Sequence, residues 1–299
     1  MPWFSVILPT YNRADWLGQA IQSVLNQSFG DYELIIVDDG STDNTKEVVK
    51  AIIDPRIKYY YQENKERSAA RNAGIIQATG EYICFLDSDD IYLPWHLEVL
   101  DKTIRHLKNS PPLLFTDIDE ISNLSAYLKS GNQFSIDTIR TLSPQEGFEH
   151  ALLRPIGCMR WCVKNHLIKR HLFDEKFKVG EDMELFVRLT AAVNAIIHVG
   201  VTTVLYAEHP GRTVNTELTY LSNLTVLNHI FLSNPIAAEK KYLRKVCFHG
   251  NYMTLARIFS KERKRIKALS YIVKAIFVLP FSNFKEKLYI ILKNIMPAL

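Results

Sequence analysis

The chain has little from which to build a cysteine-based site. Its 299 residues hold four cysteines, Cys84, Cys158, Cys162 and Cys247, whose spacing matches no close-pair metal pattern. Reduced thiols in a cytosolic compartment are the expectation. The opening Met1-Pro2-Trp3 lacks a basic stretch, a long apolar run and a small-residue cleavage site, because the apolar segment stops at Pro9. Export is therefore not expected. Late in the chain, segments 266–279 and 284–299 are apolar but interrupted by lysines, and neither gives the uninterrupted run of about 20 residues that crosses a bilayer. There is no internal repeat and no low-complexity tract.

What is present is an ordinary globular composition, 47% hydrophobic and 23% charged, with a net charge of +4 that is unevenly spread. Residues 236–299 carry 14 Lys and Arg against 3 Glu, a balance of +11, which leaves −7 for residues 1–235. An acidic front is joined to a basic tail.

Strand and helix patterns alternate through the first third. Phe4 to Leu8 reads as a strand, followed by a helix with Leu17, Ala20, Ile21, Val24 and Leu25 on one face. Glu33 to Val37 is a second strand running into Asp38-Asp39-Gly40, with Ser41 or Thr42 able to cap the next helix. A short strand at Ile57 to Tyr61, a helix from about Ser68 to Ala78 and the buried strand Tyr82 to Leu86 follow. This order predicts a parallel sheet with helices on both faces. Further strands are expected at Leu113 to Phe115, Arg160 to Val163 and Thr202 to Tyr206, with helices from Pro94 to about Lys108 and from Glu181 to Ala192. The stretch from Leu124 to Ser143 carries no clear period. After about Asn215 the spacing is helical.

Several polar clusters fall at strand ends or helix starts, where α/β enzymes bind ligands. Pro9-Thr10-Tyr11-Asn12 offers a hydroxyl, a ring and an amide to a nucleotide base, although alone it reads as a proline turn before a helix. Asp38-Asp39-Gly40-Ser41 can accept hydrogen bonds from a base or ribose, but Asp-Gly is also a common turn. Arg71, near the start of a helix lined with small residues, can meet a diphosphate. Asp87-Ser88-Asp89, followed by Asp90, closes a buried strand. Acids crowded there repel one another unless a cation or another partner offsets them, so a divalent cation is expected. Gly180-Glu181-Asp182 opens a helix whose dipole suits acids, and Asp182 in the same cleft would serve as a general base. His209, in a loop after the last strand, is a candidate nitrogen ligand or diphosphate contact.

Taken together, Val6-Ile7-Leu8-Pro9-Thr10-Tyr11-Asn12, Ile36-Val37-Asp38-Asp39-Gly40-Ser41-Thr42-Asp43, Arg71-Asn72-Ala73-Gly74, Phe85-Leu86-Asp87-Ser88-Asp89-Asp90 and Gly180-Glu181-Asp182 resemble the family 2 inverting glycosyltransferases over about residues 3–210. The resemblance implies the GT-A fold, an α/β fold with a Rossmann-like, mostly parallel central sheet flanked by helices. It also implies a metal-dependent transfer of a sugar from a nucleotide-sugar donor, most simply a UDP-sugar, to an acceptor hydroxyl. By motif, Thr10, Tyr11 and Asp39 would contact the base with Asp38, Pro9 and Ser88 nearby. Arg71 would meet the diphosphate, Asp87 the ribose, and Asp89 the Mn²⁺ or Mg²⁺. Asp182 would be the base.

The Gln-x-x-Arg-Trp motif of processive synthases is not evident, since Met159-Arg160-Trp161 echoes only its end, and single-sugar transfer is the expectation. The expected organisation is a catalytic domain over 1–215, with a nucleotide-binding half to 110 and an acceptor-binding half from 111, then a helical, basic amphipathic region over 216–299. That region suits an anionic membrane surface better than nucleic acid, because Leu, Ile and Phe accompany its lysines. A cytoplasmic protein, peripheral on the membrane face, acting on a saccharide or lipid-linked saccharide acceptor in envelope polysaccharide or glycolipid synthesis, is the resulting expectation. The alternatives are a nucleotidyltransferase, for which residues 9–13 do not form the glycine-rich basic loop, and a non-catalytic sugar-nucleotide-binding protein.

Overall fold

The computed structural model of the chain describes residues 1–154, 156–208 and 216–295. The first elements are β1 (Phe4–Thr10), α1 (Ala14–Leu25), β2 (Tyr32–Asp38), α2 (Thr45–Lys50), β3 (Ile57–Tyr61), α3 (Glu66–Gln77), β4 (Tyr82–Phe85), β5 (Ile91–Tyr92) and α4 (His96–Leu107). Next come β6 (Leu113–Glu120), α5 (Leu124–Ser130), β7 (Ile139–Leu142), α6 (Pro144–Leu153), β8 (Trp161–Lys164), α7 (Asn165–Ile168), α8 (Glu181–Thr190) and β9 (Ile196–Tyr206). The chain continues as α9 (Glu217–Ser233), α10 (Lys241–Lys261), α11 (Arg265–Val278) and α12 (Phe284–Ile295). Among the described residues no helix is long and apolar enough to cross a membrane.

The chain divides into two compact units, Met1–Phe148 with Pro155–Pro210, and Glu149–Arg154 with Gly211–Leu299. In the first, one sheet has the order β3-β2-β1-β4-β8-β6-β9-β5, with β7 on β9. β1 to β4 are parallel, as the alternation predicts, and β6 pairs parallel with β9. The expected strand near 160 is present, but β8 runs antiparallel between β4 and β6. The two-residue β5 pairs antiparallel with Val204 and Leu205 of β9. The unassigned stretch resolves into α5 and β7, whose cross-strand partners on β9 are more than 50 residues away in sequence.

Periodicity explains the core. β1 and β2 are buried along their whole length, as strands of a parallel sheet covered on both faces should be. Leu17, Ala20, Ile21 and Val24 of α1 recur at helical spacing and enter one cluster with Phe4, Val6, Leu8, Leu34 and Ile36. Pro9 sits in a central strand, but β4 pairs with β1 only as far as Ile7, so its missing N–H costs no bond on that side.

α3 approaches β1 closely because Gly74 has no side chain. A Cβ there would lie 2.5 Å from Cγ2 of buried Ile7. Gly74→Ala is expected to lower stability by about 1–3 kcal/mol through overpacking. Urea unfolding checks it, and an unmoved midpoint would mean that the contact yields without cost.

In the second unit, Met253, Ala256, Ile272, Ala275 and Ile290 form one small core. Leu255, Phe259 and Ala268 form another.

Candidate active site

The carboxyl ends of β1 and β2 are laced together. Asp39 N–H donates to the Thr10 carbonyl at 2.9 Å, Asn12 N–H to Ser41 Oγ at 2.9 Å and Thr42 N–H to Asn12 Oδ1 at 2.8 Å. Gly40 turns the chain at φ 84°, and a Cβ on it would stand 2.7 Å from the Asn64 nitrogen. Asp38 accepts Ser41 N–H at Oδ1 and the Tyr59 hydroxyl at Oδ2, at 2.8 and 2.6 Å. Asp39 Oδ1 accepts Gln62 Nε2 at 2.6 Å and Lys65 N–H at 3.0 Å.

Two groups stand out in this corner. The Thr10 hydroxyl is buried, at 3% residue exposure, and makes no hydrogen bond among the described residues. The neighbouring Tyr11 is 47% exposed. Buried polar atoms normally have partners, so an orphan hydroxyl beside an open ring suits a flat, hydrogen-bonding ligand. Pro9, behind them, is buried.

At the end of β4, Leu86 N–H donates to the Ile7 carbonyl, and the next four residues alternate. Asp87 and Asp89 are partly exposed, while Ser88 and Asp90 are buried. Asp90 Oδ1 accepts Ala207 N–H at 3.3 Å, which ties the triplet to the end of β9. Arg71 Nη2 donates to Asp87 Oδ1 at 2.7 Å, and Arg13 Nε stands 3.9 Å from Asp89 Oδ2. The crowding that suggested a cation is thus offset substantially by two guanidinium groups. Acid repulsion alone does not require a metal here.

α8 begins after Gly180, at φ 81°, so Glu181 and Asp182 occupy its first turn, where the helix dipole favours carboxylates. Arg71 Nη1 donates to Glu181 Oε1 at 2.8 Å, and Arg67 Nη1 lies 3.8 Å from the same oxygen. Arg71, read from the sequence as a diphosphate contact, is 3% exposed and has both terminal nitrogens engaged by Asp87 and Glu181. It bridges the β4 end to the α8 start. Asn72 adds a second clamp, donating to the Phe173 carbonyl at 3.0 Å and accepting Phe173 N–H at 2.9 Å.

Asp182 is partly buried. Burial, followed by the negative charge of Glu181, lifts its carboxyl from 3.8 to about 7, against the opposing pull of Arg71. A carboxylate tuned to that range can exchange a proton near neutral pH. A Cβ on Gly157 would stand 3.8 Å from Asp182 Oδ2, so that turn borders the acid.

Among the described residues no three His, Cys, Asp or Glu side chains gather as a ready-made cation cage. Mg²⁺ commonly uses one or two carboxylates plus substrate phosphates, and the partly exposed Asp89, in the turn between β4 and β5, fits that habit. His209 lies outside the described residues. Arg160 and Trp161 are structural: Arg160 Nε donates to the Thr116 carbonyl at 2.6 Å and Trp161 Nε1 to the Ile156 carbonyl at 3.0 Å. Glu181, Arg13 and Tyr59 join the site without a role legible in the sequence. Glu181 adjoins Asp182 and opens the same helix, which was the available signal; Arg13 and Tyr59 carried none.

The family model described as glycosyl transferase family 2 matches residues 5–175. The chain is 30% identical over 279 residues, covering 90% of this chain and 86% of the relative, to the GalNAc(5)-diNAcBac-PP-undecaprenol beta-1,3-glucosyltransferase of Campylobacter jejuni. Uncharacterized glycosyltransferases of Rickettsia bellii, Rickettsia conorii and Rickettsia felis match at 34%, 35% and 34% identity over 62%, 64% and 64% of this chain. The chain spans only 26%, 30% and 31% of their lengths. Among solved structures, S. aureus TarS 1-349 in complex with UDP-GlcNAc superposes with TM-score 0.67 at 20% identity, over 93% of this chain and 81% of that one. The mannosyltransferase PcManGT of Pyrobaculum calidifontis, in complex with GDP-Man and Mn²⁺, does so with TM-score 0.61 at 16% identity, over 100% and 88%. These two likenesses establish the fold, GT-A. With a family match across more than half of its residues and a relative aligned nearly end to end, the chain belongs to glycosyl transferase family 2.

Proposed function

We propose that the chain transfers one hexose from a nucleotide-sugar donor, a UDP-sugar, to an acceptor hydroxyl with inversion at the anomeric carbon. The observation that carries this reading is Asp182, an acid tuned toward neutral pH and linked to the Asp87 triplet through Glu181 and Arg71. The TarS complex with UDP-GlcNAc supports a uridine donor. The orphan hydroxyl of Thr10, the Tyr11 ring and Asp39 are the groups that would receive the base, with Asp87 toward the ribose.

In the reaction, Asp182 accepts the acceptor's hydroxyl proton as that oxygen attacks the anomeric carbon. The oxygen–carbon bond forms on one face while the carbon–oxygen bond to the diphosphate breaks on the other, and the electron pair leaves with the nucleotide diphosphate. Arg71 holds Asp87 and the start of α8 in register. The Mn²⁺ of the PcManGT complex supports a divalent ion in this site, with Asp89 as its protein ligand. When bound, such an ion neutralises charge developing on the leaving diphosphate.

The Campylobacter relative, named for a lipid-linked oligosaccharide acceptor, supports a lipid-linked saccharide as acceptor here, and hence work at a membrane surface in envelope polysaccharide or glycolipid synthesis.

A screen of nucleotide sugars with Mn²⁺ tests the donor and the stereochemistry together. Slow hydrolysis or transfer of a UDP-sugar with an inverted product, read from the anomeric coupling in proton NMR, is expected. A retained configuration would remove the single-displacement mechanism. Asp89→Ala is expected to weaken donor binding by about 1.5–3 kcal/mol, the worth of one contact between charged groups, and EDTA should do the same to the wild type. Calorimetric donor affinity indifferent to both changes would sink the metal assignment.

A further inference from the structure

The last two helices bury small or polar residues beside Ile272 and Ile290, and turn much of their larger apolar surface out. α11 buries Ala268, Ile272 and Ala275, at i, i+4 and i+7. Its opposite side presents Ile266, Val273 and Phe277, with Ile266 86% and Phe277 84% exposed. α12 buries Lys287, Ile290 and Asn294, two of them polar. Phe284, Leu288, Leu292 and Ile295, at i, i+4, i+8 and i+11, form an exposed stripe. A helix whose only neighbours were its own domain and water would show the reverse.

The connection between these helices is held firmly. Buried Lys287 Nζ donates to the Leu279 carbonyl at 2.5 Å and the Pro280 carbonyl at 3.3 Å, so its charge caps the end of α11. Arg257 pairs with Glu286 on the inward side of α12. Phe281, between the helices, is 89% exposed. Three phenylalanines, Phe277, Phe281 and Phe284, are therefore presented by a fixed corner. Exposed apolar surface of this kind marks an interaction site.

Charge selects the occupant. Residues 236–299 carry +11, and Lys274, Lys285 and Lys293 are exposed on the same two helices. A second copy would bring an equal positive charge against the first, and nucleic acid would leave the apolar stripe unused. An anionic bilayer satisfies both, taking aromatic rings at the headgroup level and lysines among the phosphates.

We propose that this outward face of α11 and α12 docks on an anionic lipid bilayer, with Phe277, Phe281 and Phe284 entering the interface and Lys274, Lys285 and Lys293 meeting the headgroups. The surface stands on its own whether or not sugar transfer is the reaction.

The test is co-sedimentation of the full chain with vesicles of phosphatidylcholine containing about a third phosphatidylglycerol, against vesicles of phosphatidylcholine alone. The wild type is expected to pellet with the anionic vesicles and to be released by high salt. Joint replacement F277S, F281S and F284S should weaken binding by about tenfold or more, because each ring gives up burial in the interface. Joint replacement K274E, K285E and K293E should remove the preference for anionic lipid. All six side chains are exposed, and an unchanged circular dichroism melt verifies that the variants fold. Equal pelleting by wild type and the phenylalanine variant would overturn the proposal. So would a wild-type dimer in ultracentrifugation that those replacements dissolve, with no vesicle binding. The assay contains no sugar nucleotide, so its failure leaves the transfer reading intact, and D182N is expected to pellet as the wild type does.

Discussion

Asp182→Asn is expected to slow transfer severely while the donor still binds. Loss of a positioned base costs about 10²- to 10⁴-fold in rate, and Asn has nearly the same volume, so the fold is kept. Because burial, with Glu181 second, carries the Asp182 carboxyl up to about 7, the wild-type rate should climb as pH rises through that value. The variant's residual rate should lack this limb. Stability moves the opposite way. The folded protein holds the Asp182 proton up to about pH 7, whereas the unfolded chain releases it near the ordinary value of 3.8. The contribution is complete below the lower value and is lost as pH rises through the higher one. Asn carries no charge at any pH, so D182N should melt above the wild type at pH 8 and level with it near pH 4. A variant that is nearly as fast as the wild type removes Asp182 from the base role. One that melts lower at pH 8 removes burial as the source of the shift.

Arg71→Ala is expected to lower stability by about 3–5 kcal/mol, the usual consequence of removing one partner of a buried ion pair. Its guanidinium lies 2.8 Å from Glu181 and 2.7 Å from Asp87, and its removal leaves buried Glu181 with Arg67, at 3.8 Å, as the guanidinium beside it. Arg71→Lys should recover only part of the loss, since an ammonium group cannot reproduce the fork that meets both acids. Glu181→Gln introduced into the Arg71→Ala background should restore some stability by removing a buried charge that has lost its nearest partner. Urea midpoints measure all three changes. Because Arg71 holds the Asp182 carboxyl down, any surviving activity of Arg71→Ala should have its ascending pH limb moved to higher pH. A stability within about 0.5 kcal/mol of wild type, the ordinary range for surface changes, would show that the bridge carries little.

Much of the first unit was legible because its signals are local. The runs in β1, β2 and β4 place Thr10, Asp38 and Asp87 at or just beyond strand ends, and the spacing of Leu17, Ala20, Ile21 and Val24 reports a buried helix face directly. β8 was visible as a strand, but its direction was not, since nothing in Trp161 to Lys164 says which neighbours it will choose. β5 is too short to carry a period, yet it ties the residues after the triplet to β9. Glu181 illustrates the same limit. The dipole argument explains an acid there without assigning a partner, and Arg71 is 110 residues away.

The sequence by itself determined where carboxylates and strand ends coincide, because side-chain alternation and helical spacing arise from the backbone geometry of a few neighbouring residues. It also determined that the tail is basic and apolar. Only the tertiary structure decided that Arg71 joins Asp87 to Glu181, that two guanidinium groups offset the acidic triplet, and that α11 and α12 face their apolar stripes outward. Those outcomes depend on which distant segments the topology brings within a few ångströms, and charge pairing and burial act over that distance in space, whatever the separation along the chain.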